Sequence, residues 1–520
     1  MKARAAGLCC VAAAGMVLTM FGGQISVAPA PVEISTDWSV RVPLDGKVTV
    51  RCAEATDDGA RWIGEKFAAW FGRRPQVTDE PSAGEVAEEE GYRIDADADG
   101  IRIAARTMQG VRYAAYTIRQ LAIPRRGTLK TDGFILPRTT VRDAPAITRR
   151  FLHLCWLPEY STDEMERRIR LAATLKFNYI ILESWGVFRS ERHPWWGWQD
   201  GKMTPAEVRR LVALGRDLGV TLAPQLNVFG HAAMSRIKSG KHAVLDFQDE
   251  YAPLFEPNGG WNWCLSNPEA RRILKDLVRE EWEAFGRPPF IHIGFDEAHE
   301  PSCPDCMARP YHELVGEHLR DMCAFVRELG ARPMVWDDMF FAKGVKEDAA
   351  LGLWGNGTPE TKALVSTLPK DVIFCPWDYK ERKGKFSDYP KLTYFQTNGF
   401  DVVAAPCYVA ASCAAQGRIV RERKLFGYMG TSWIYCFGGL YADVFTYNAF
   451  AAWGAEVGDY ERDSKISFMR VLRDVTHDVP GLAKRQDTGV FNEQTKSVTS
   501  AVFGWRGSAY RNWFDPPEKK

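Results

Sequence analysis

The chain has 520 residues, which exceeds one ordinary compact domain and leaves room for two or three domains, or for one large barrel with an appendage. Apolar residues make up 46% and charged residues 26%, so the chain can bury a sizeable core and a disordered protein is excluded. Its 67 Lys and Arg nearly balance 66 Asp and Glu, and the net charge of +1 argues against nucleic acid as a partner. Aromatic residues reach 12%, with 18 Trp, which makes stacking on sugar rings an early expectation.

The amino terminus has the pattern of a secretory signal. Two basic residues, Lys2 and Arg4, precede an apolar run that continues to Phe21, and small residues up to Ala30 offer a cleavage region. The run is short for a membrane-spanning helix, and nothing later in the chain reaches the required length. Residues 1–30 are therefore predicted to be a signal peptide, and the mature protein is predicted to be secreted or periplasmic, without a transmembrane segment.

Residues 31–145 are predicted to form a small α+β domain. The alternating runs 91–97 and 101–105 flank an Asp-Gly turn, the pattern of two strands joined by a hairpin. Over 110–121 apolar residues recur at helical spacing, which predicts a helix packed on the sheet.

Residues 146–460 repeat a strand-then-helix pattern that predicts a (β/α)8 TIM barrel. One predicted helix covers 161–175, and another covers 204–218, where a Thr-Pro start and a following glycine mark the two ends. A doubly wound sheet is the alternative, but no Gly-rich phosphate loop follows the first strand. The predicted strands are 151–156, 179–184, 221–228, 290–295, 332–336, 372–377, 402–407 and 428–434. Residues 461–520 are predicted to be a helical and irregular extension.

The residues that follow these strands are unusually polar and aromatic. Chemistry in such a barrel lies where the strands end, and several carboxylates and Trp side chains meeting there favour a saccharide pocket. Each Trp could equally belong to the core, and each Asp could cap a following helix. The residues concerned are Glu183, Trp185, Asn227, His231, Asp296, Glu297, Trp336, Asp337, Asp338, Trp377, Asp378, Tyr379 and Trp433.

The adjacent acids Asp296 and Glu297 are the most informative pair. An apolar strand leads into them, and two neighbouring carboxyl groups at a barrel mouth are expected to have pKa values that are pushed apart. One acid can then stay protonated while the other is ionised, which is the division of roles that glycoside cleavage needs. The simpler alternative is that both acids cap the following helix.

The segment from His292 to Glu297 resembles the His-x-Gly-x-Asp-Glu signature of glycoside hydrolase family 20, the β-N-acetylhexosaminidases. Residues 227–231, 292–306 and 333–340 are similar to the branch that contains hexosaminidase D. Residues 91–121 resemble the small N-terminal domain of the same family.

The resemblance implies a retaining, substrate-assisted reaction in which the 2-acetamido group of the sugar attacks its own anomeric carbon. By motif position Asp296 would orient that group, and Glu297 would act first as acid and then as base. Tyr379 would donate to the acetamido oxygen, although the family tyrosine usually precedes the acid and here Asp378 comes first. His231 would support the pocket and a charge relay.

The resemblance also implies further substrate-binding residues. The family places an Arg that grips sugar hydroxyls in the first strand, and the spacing to Asn178 favours Arg149 over Arg150. Glu183 matches the Glu of the hexosaminidase D branch, but the further acids of the family are absent after it. The remaining expected binding residues are Trp336, Asp337, Trp377, Asp378 and Trp433.

No metal or other cofactor is predicted. Cys303-Pro-Asp-Cys306 alone resembles half a zinc ribbon or a redox turn, but no second pair follows, which favours a local disulfide or free thiols. The aromatic loop 195–198 suggests either a lid or outer sugar subsite, or a buried loop anchor.

The expected partner is a glycan or glycoconjugate with a terminal N-acetylhexosamine. Two other functions compete with this one: a carbohydrate-binding protein whose catalysis has lapsed, and a barrel glycosidase for a non-acetamido sugar that uses Glu297 with Glu183.

Overall fold

The structure is a computed structural model that describes residues 27–463, apart from 55–57, 82–83, 125–132, 158–159, 198–202, 234–243, 247, 382–387, 434–438, 458–459, 462. Residues 1–26 of the predicted signal peptide 1–30 lie outside the described residues, as do residues 464–520 of the predicted C-terminal extension 461–520 and Trp198.

The amino-terminal part is a small α/β domain built on one seven-stranded sheet. Its strands are β1 Glu33–Pro43, β2 Lys47–Cys52, β3 Gln76–Glu80, β4 Tyr92–Asp97, β5 Gly100–Ala105, β6 Ile123–Pro124 and β7 Phe134–Asp143. They lie in the order β1-β7-β4-β5-β2-β3, with β6 beside β7. The helices α1 Asp58–Phe71 and α2 Met108–Leu121 pack on this sheet. Strands β4 and β5 form the expected antiparallel hairpin.

The following part is a closed barrel of eight parallel strands, which confirms the predicted fold class. The barrel strands are β8 Arg150–Trp156, β9 Tyr179–Ser184, β10 Thr221–Gln225, β11 Phe290–His292, β12 Arg332–Trp336, β13 Ile373–Cys375, β14 Asp401–Ala404 and β15 Gly427–Gly430. The helices are α3 Thr162–Thr174, α4 Pro205–Leu218, α5 Pro268–Ala284, α6 Pro304–Met307, α7 Tyr311–Glu328, α8 Lys346–Ala350, α9 Pro359–Ala363, α10 Pro390–Thr397, α11 Ala410–Arg423 and α12 Gly439–Trp453. Strand β15 pairs with β8 and closes the barrel.

Local signals set the ends of the first barrel helices. The Ser161 side chain accepts from the backbone of Glu164, which returns the contact in a capping box at the start of α3. Thr204 caps α4, and Gly219 ends it in a left-handed conformation. Both helices therefore start where the sequence predicts.

Strand β11 ends three residues earlier than the sequence predicts. Gly294 and Phe295 have φ angles of 65° and 81°, which take the backbone out of the extended region before the acid pair. The shortened strand turns the chain at the barrel mouth, so the site is carried on a bent segment after the strand.

Aromatic residues fill the barrel from both ends. Phe151, Tyr179 and Phe290, near the starts of their strands, contact one another with ring centroids 4.8 to 5.7 Å apart. Trp336, at the end of β12, is fully buried and lies at the other end of the same interior cluster. The barrel is thus a packed core with its open space at the carboxyl end of the strands.

The small domain docks on the amino-terminal end of the barrel, where the strands begin. Lys176, which follows α3, donates to Tyr92 and Asp143 of the small domain at 2.7 and 2.9 Å. Trp453 at the end of α12 donates to the other oxygen of Asp143 at 2.9 Å. Among the described residues, none of the helices is long and apolar enough to cross a bilayer.

Candidate active site

Asp296 lies at the carboxyl end of the barrel, buried and held in one orientation. The Asn227 side chain, from the segment after β10, donates to its Oδ1 at 2.9 Å. Its Oδ2 lies 3.5 Å from Nε2 of His231. A carboxylate fixed in this way can orient a polar group but has little freedom to exchange partners.

Glu297 is adjacent in sequence but different in environment. Its side chain is 48% exposed, against 8% for Asp296, and its Oε2 lies 3.2 Å from the same His231 nitrogen. The backbone of Glu297 has a φ of 48°, a left-handed conformation that turns its side chain away from the buried direction of its neighbour. The two acids thus share one imidazole while one faces the protein and the other reaches solvent.

Two glycines allow the segments that carry these groups to approach closely. A Cβ on Gly230 would lie 2.3 Å from the backbone oxygen of Asp296. A Cβ on Gly294 would lie 2.3 Å from Oδ1 of Asn227. Both glycines are therefore required by the contact between the two loops rather than by a turn alone.

Asp338 supports the acid pair from the next strand. Its Oδ2 accepts from the backbone of Glu297 at 2.9 Å and from the side chain of Asn356 at 2.8 Å. Burial raises the pKa of Asp338 to about 7, and the nearby charges of Asp296 and Asp337 add to the rise. This carboxyl fixes the backbone of Glu297 and can itself carry a proton near neutral pH.

Asp337, an expected sugar ligand, does not lie in the pocket, and this prediction is wrong. It is fully buried, its Oδ1 accepts from the backbone of Trp377 at 3.0 Å, and its Oδ2 pairs with Lys391 at 2.8 Å. Burial raises the pKa of Asp337, against the opposing effect of Lys391. Asp378 is also buried, and its Oδ1 accepts from the backbone of Lys380 in a strand-end turn.

Glu183 is held in a buried network beside the site. Its Oε1 accepts from Gln225 at 2.8 Å, and its Oε2 accepts from Trp185 at 2.9 Å. Oε2 also lies 3.3 Å from Nε2 of His153 and 3.4 Å from the sulfur of Cys155. Because Gln225 also contacts Asn227 at 3.3 Å, Glu183 reaches Asp296 through a chain of side-chain amides.

Four aromatic side chains stand around this mouth. Trp336 is buried at its floor with its ring centroid 4.3 Å from that of His292, and its Nε1 has no hydrogen-bond partner among the described residues. The indole of Trp433 donates to the Tyr379 hydroxyl at 2.5 Å. Trp377 is partly buried and meets Tyr379 at 5.5 Å. These predicted binding residues therefore occur together at one end of the barrel.

Arg149 is at the wrong end of the barrel for a sugar ligand. It precedes β8, and its guanidinium lies 4.1 Å from the ring centre of Phe426, which precedes β15. Its neighbour Arg150 is buried and bound to the backbone of Lys176 and to Glu90. Parallel strands begin at the end opposite the site, so neither Arg at the start of β8 is brought to the acid pair.

Several site residues were missed by the sequence analysis. Trp261 donates from Nε1 to the backbone oxygen of Glu297 at 2.7 Å and packs on His231 with centroids 4.3 Å apart. Trp354 packs against Trp377 at 4.5 Å. Both lie many residues beyond the preceding strand in the sequence, so a search of the residues that directly follow each strand does not include them.

The aromatic loop after β9 is anchored in the protein. Trp195 stacks on Tyr251 with centroids 4.0 Å apart, and the buried Trp196 stacks on Trp263 at 5.2 Å. For these two residues the structure favours the loop anchor over the sugar subsite.

Two groups of side chains among the described residues are compact enough to hold a metal ion. One consists of His153, Cys155 and Glu183, next to the acid pair. The other joins Glu256, Cys264, Cys303 and Cys306, on the loops behind Glu297.

A (β/α)8 barrel with a His-bridged carboxylate pair at its carboxyl end defines a barrel of the glycosidase type. Residues 24–144 match the model of glycosyl hydrolase family 20, domain 2, and residues 179–434 match that of the family's catalytic domain. The chain belongs to glycosyl hydrolase family 20, which confirms the resemblance seen in the sequence.

Similar proteins carry hexosaminidase names. The chain is 25% identical to a beta-hexosaminidase of Vibrio furnissii over 64% of this chain and 60% of the relative. It is 22% identical to a beta-hexosaminidase of Porphyromonas gingivalis over 68% of this chain and 50% of the relative. The chain thus spans about half to three fifths of the length of these curated relatives.

Solved structures share the fold at lower identity. A GH20 exo beta-N-acetylglucosaminidase from Vibrio harveyi, in complex with N-acetylglucosamine, superposes with a TM-score of 0.66 at 17% identity, covering 89% of this chain and 79% of that chain. A beta-N-acetylhexosaminidase from Bacteroides fragilis gives a TM-score of 0.62 at 18% identity, covering 84% and 93%.

Proposed function

We propose that this protein is an exo-acting β-N-acetylhexosaminidase that removes terminal non-reducing GlcNAc or GalNAc from glycans with retention of configuration. The observation that carries the proposal is the pair of adjacent acids with opposite environments, one buried and fixed, the other half exposed, bridged by His231. Family membership and the hexosaminidase relatives support the same activity.

Asp296 is the group that holds the substrate's own nucleophile. Asn227 fixes its Oδ1, and in this orientation the carboxylate can accept the N–H of the 2-acetamido group and turn the acetamido oxygen toward the anomeric carbon. As that oxygen forms a bond to the carbon, the amide nitrogen gains positive charge, and the adjacent carboxylate stabilises it.

Glu297 is the proton donor and later the base. In the first step the bond between the anomeric carbon and the leaving oxygen breaks, and the Glu297 proton passes to that oxygen. In the second step water attacks the cyclic oxazolinium intermediate and gives its proton to Glu297, which restores the acid. The exposed Glu297 carboxyl has access to both the leaving group and water.

The aromatic side chains supply the wall of the sugar site. Trp377 and Trp433 are partly buried and offer flat apolar faces on which a pyranose ring can stack, and the fully buried Trp336 packs against Trp433. Tyr379, held by Trp433, can donate its hydroxyl to the acetamido oxygen. We also propose export of the mature protein and membership of the hexosaminidase D branch, both on sequence grounds.

A conventional pair of acid and nucleophile is less well supported. Both oxygens of Glu183 accept hydrogen bonds inside the protein, from Gln225 and Trp185. A nucleophile needs a free oxygen facing the anomeric carbon, so Glu183 is better suited to supporting the network than to attacking substrate.

A panel of four aryl glycosides tests the substrate class. We expect turnover of the GlcNAc or GalNAc glycoside, or both, and kcat/KM at least about 100-fold lower for the Glc and Gal glycosides, which lack the internal nucleophile. Equal rates on GlcNAc and Glc would overturn the proposal. Binding of sugar without release of the aryl group would instead support a lapsed enzyme.

The internal nucleophile can be tested directly with fluorinated N-acyl groups. Replacing acetyl by mono-, di- and trifluoroacetyl weakens the amide oxygen as a nucleophile, so kcat should fall steeply along the series. Asp296→Asn should lower kcat/KM on the acetamido substrate by about 10²- to 10³-fold. Asp163→Asn, at an exposed position on α3, is the matched control.

A further inference from the structure

Three cysteines and one glutamate meet behind the acid pair. The sulfur of Cys264 lies 3.7 Å from the sulfurs of both Cys303 and Cys306. The ligand atoms of these residues and of Glu256 all lie within 4.8 Å of one another. Zinc bound at about 2.3 Å by tetrahedral thiolates places neighbouring sulfurs roughly 3.8 Å apart, so the observed spacing is that of a zinc shell.

The surroundings of this cluster also fit a metal. Cys303 and Cys306 flank the start of the short helix α6, and the backbone of Cys306 donates to the sulfur of Cys303 at 3.3 Å. Ser266 lies with its hydroxyl 3.2 Å from the sulfur of Cys306, where it can donate to a thiolate. Such contacts orient and stabilise charged sulfur ligands.

Glu256 gives the independent sign of a fourth ligand. Glu256 is only 2% exposed, and its Oε2 accepts hydrogen bonds from the backbone N–H groups of Ser302 and Cys303 at 2.7 and 2.8 Å. Its Oε1 is buried and accepts no hydrogen bond from a nitrogen or hydroxyl group of the described residues, and the Glu256 carboxyl faces the thiol of Cys306. A thiol is only a weak donor, so a buried carboxylate oxygen that faces thiols alone costs free energy unless a cation binds it.

We propose that Glu256, Cys264, Cys303 and Cys306 bind one structural Zn²⁺, outside the sugar pocket. Binding releases the protons of the three thiols and leaves three thiolates and one carboxylate around the ion. Four protein ligands close the coordination shell, so this zinc has no position for water and takes no direct part in hydrolysis.

The ion would fasten two loops to each other. One is the hairpin in which Phe255 pairs with Trp263, with Glu256 and Cys264 at its base. The other follows Glu297 and ends at α6. Asn262 joins the two by donating to the backbone of His299 at 2.6 Å and accepting from it at 3.1 Å.

Through this hairpin the metal would position the proposed acid. Trp261, near the hairpin tip, donates to the backbone oxygen of Glu297 at 2.7 Å and packs on His231. Trp261 is thus a positioning residue for the acid pair. This coupling rests on the proposed function, whereas the metal site itself does not.

Metal content of the purified full chain tests the site. We expect about one zinc per chain in the wild type, and its loss in Cys264→Ser and Cys306→Ser. Cys323→Ser, a buried cysteine of α7 outside the cluster, should keep its zinc. Chelation should lower the thermal midpoint by about 5 °C or more in the wild type and in Cys323→Ser.

The wild type alone decides the question if the variants fail to fold. After zinc removal under reducing conditions, added Co²⁺ should give the thiolate-to-cobalt absorption of a tetrahedral site. A zinc-free chain in which mass spectrometry finds a disulfide between any two of the three cysteines would overturn the proposal, as would a cobalt spectrum without thiolate bands.

Trp261→Phe tests the coupling separately. It should retain zinc and leave KM nearly unchanged, while kcat falls about tenfold and the alkaline limb of its pH profile shifts, because the backbone of the acid is no longer held. Retained zinc with a wild-type kcat and pH profile would overturn the coupling and leave the metal site standing. Failure of the proposed function would appear instead in the Asp296→Asn and substrate-panel results.

Discussion

The two ends of the barrel bury charge in different ways. At the amino-terminal end buried cations lie beside anions: Lys176 contacts Asp143 at 2.9 Å, and Arg150 contacts Glu90 at 2.6 Å. At the carboxyl end the described carboxylates are held mostly by amides, indoles and imidazoles. Four of the buried ones are Glu183, Asp296, Asp337 and Asp338, of which Asp337 pairs with Lys391.

This difference distinguishes ion pairs that stabilise the fold from buried carboxyl groups that belong to the active site. Paired charges at the docking end satisfy each other and hold the small domain in place. At the other end burial raises the pKa of Asp338 to about 7, and the neighbouring charges of Asp296 and Asp337 add to the rise. Perturbed groups gathered in one cleft are the usual mark of a functional site.

Replacing Glu297 at the carboxyl end of the barrel should give the largest loss of activity. Glu297→Gln removes the proposed proton donor, so kcat/KM for a GlcNAc glycoside with a poor leaving group should fall by about 10³-fold or more. A dinitrophenyl leaving group needs little protonation, so its first step should be affected much less. Steady-state kinetics on both substrates measure the contrast.

The exposed Glu300 provides the control for this change. Glu300→Gln, three residues further along the same loop, should leave both rates within about twofold. Equal losses for the two leaving groups in Glu297→Gln would place the proton donor on another residue.

Breaking a charge pair at the amino-terminal end should instead affect stability. Lys176→Met leaves Asp143 buried without its cation, and the free energy of unfolding should fall by about 3–5 kcal/mol. Chemical denaturation measures the loss, while kcat of the folded protein should stay near the wild-type value.

A double variant distinguishes loss of the pair from loss of packing. Asp143→Asn added to Lys176→Met removes the stranded charge and should recover part of the stability. If kcat falls with Lys176→Met at a temperature where the protein is fully folded, the two ends are not functionally separate.

Local signals explain what the sequence could predict. Helix α4 begins after Thr204 and ends before Gly219 because the cap and the left-handed glycine act within one turn. The sequence predicts the eight strands because parallel barrel strands are buried on both faces and consist of apolar runs. The acid pair is predictable because it directly follows such a run.

Long-range contacts explain what the sequence could not predict. Asp337 and Asp338 are adjacent, yet only the distant Lys391 decides that Asp337 turns into the core. Trp261 reaches Glu297 from a hairpin 36 residues earlier in the chain. The partners of Cys303 and Cys306 are likewise supplied by that hairpin, so the local Cys-x-x-Cys spacing alone favoured a disulfide or free thiols over a metal.

A buried acid on helix α5, Glu281, tests whether a carboxyl group with a raised pKa must belong to the active site. Burial raises the pKa of Glu281 on α5 to about 8, with a lowering effect from the Ser184 hydroxyl that donates to it at 3.0 Å. The unfolded chain loses this proton near pH 4 and the folded protein keeps it, so stability from this group falls as pH rises from about 4 to 8.

Glu281→Gln keeps the shape of the protonated acid and removes this dependence. Relative to the variant, the wild type should lose roughly 1–3 kcal/mol of unfolding free energy between pH 5 and pH 8. Glu283→Gln, exposed on the same helix, should follow the wild-type curve in denaturation experiments. Parallel curves for wild type and Glu281→Gln would mean that the buried carboxyl is ionised in the folded protein throughout.

Arg149→Ala should give the smallest effect and is the sharpest test of which end matters. The guanidinium packs on Phe426 where the strands begin, so its removal should cost about 0.5–1 kcal/mol of stability and leave kcat/KM within about twofold. Arg332→Ala, which removes a second cation over the same ring at 4.9 Å, is the matched control. A tenfold or greater rise in KM for Arg149→Ala, absent from Arg332→Ala, would mean that Arg149 contacts the sugar. Loss of a positive charge at the end of the barrel that binds the small domain should otherwise leave substrate affinity unchanged.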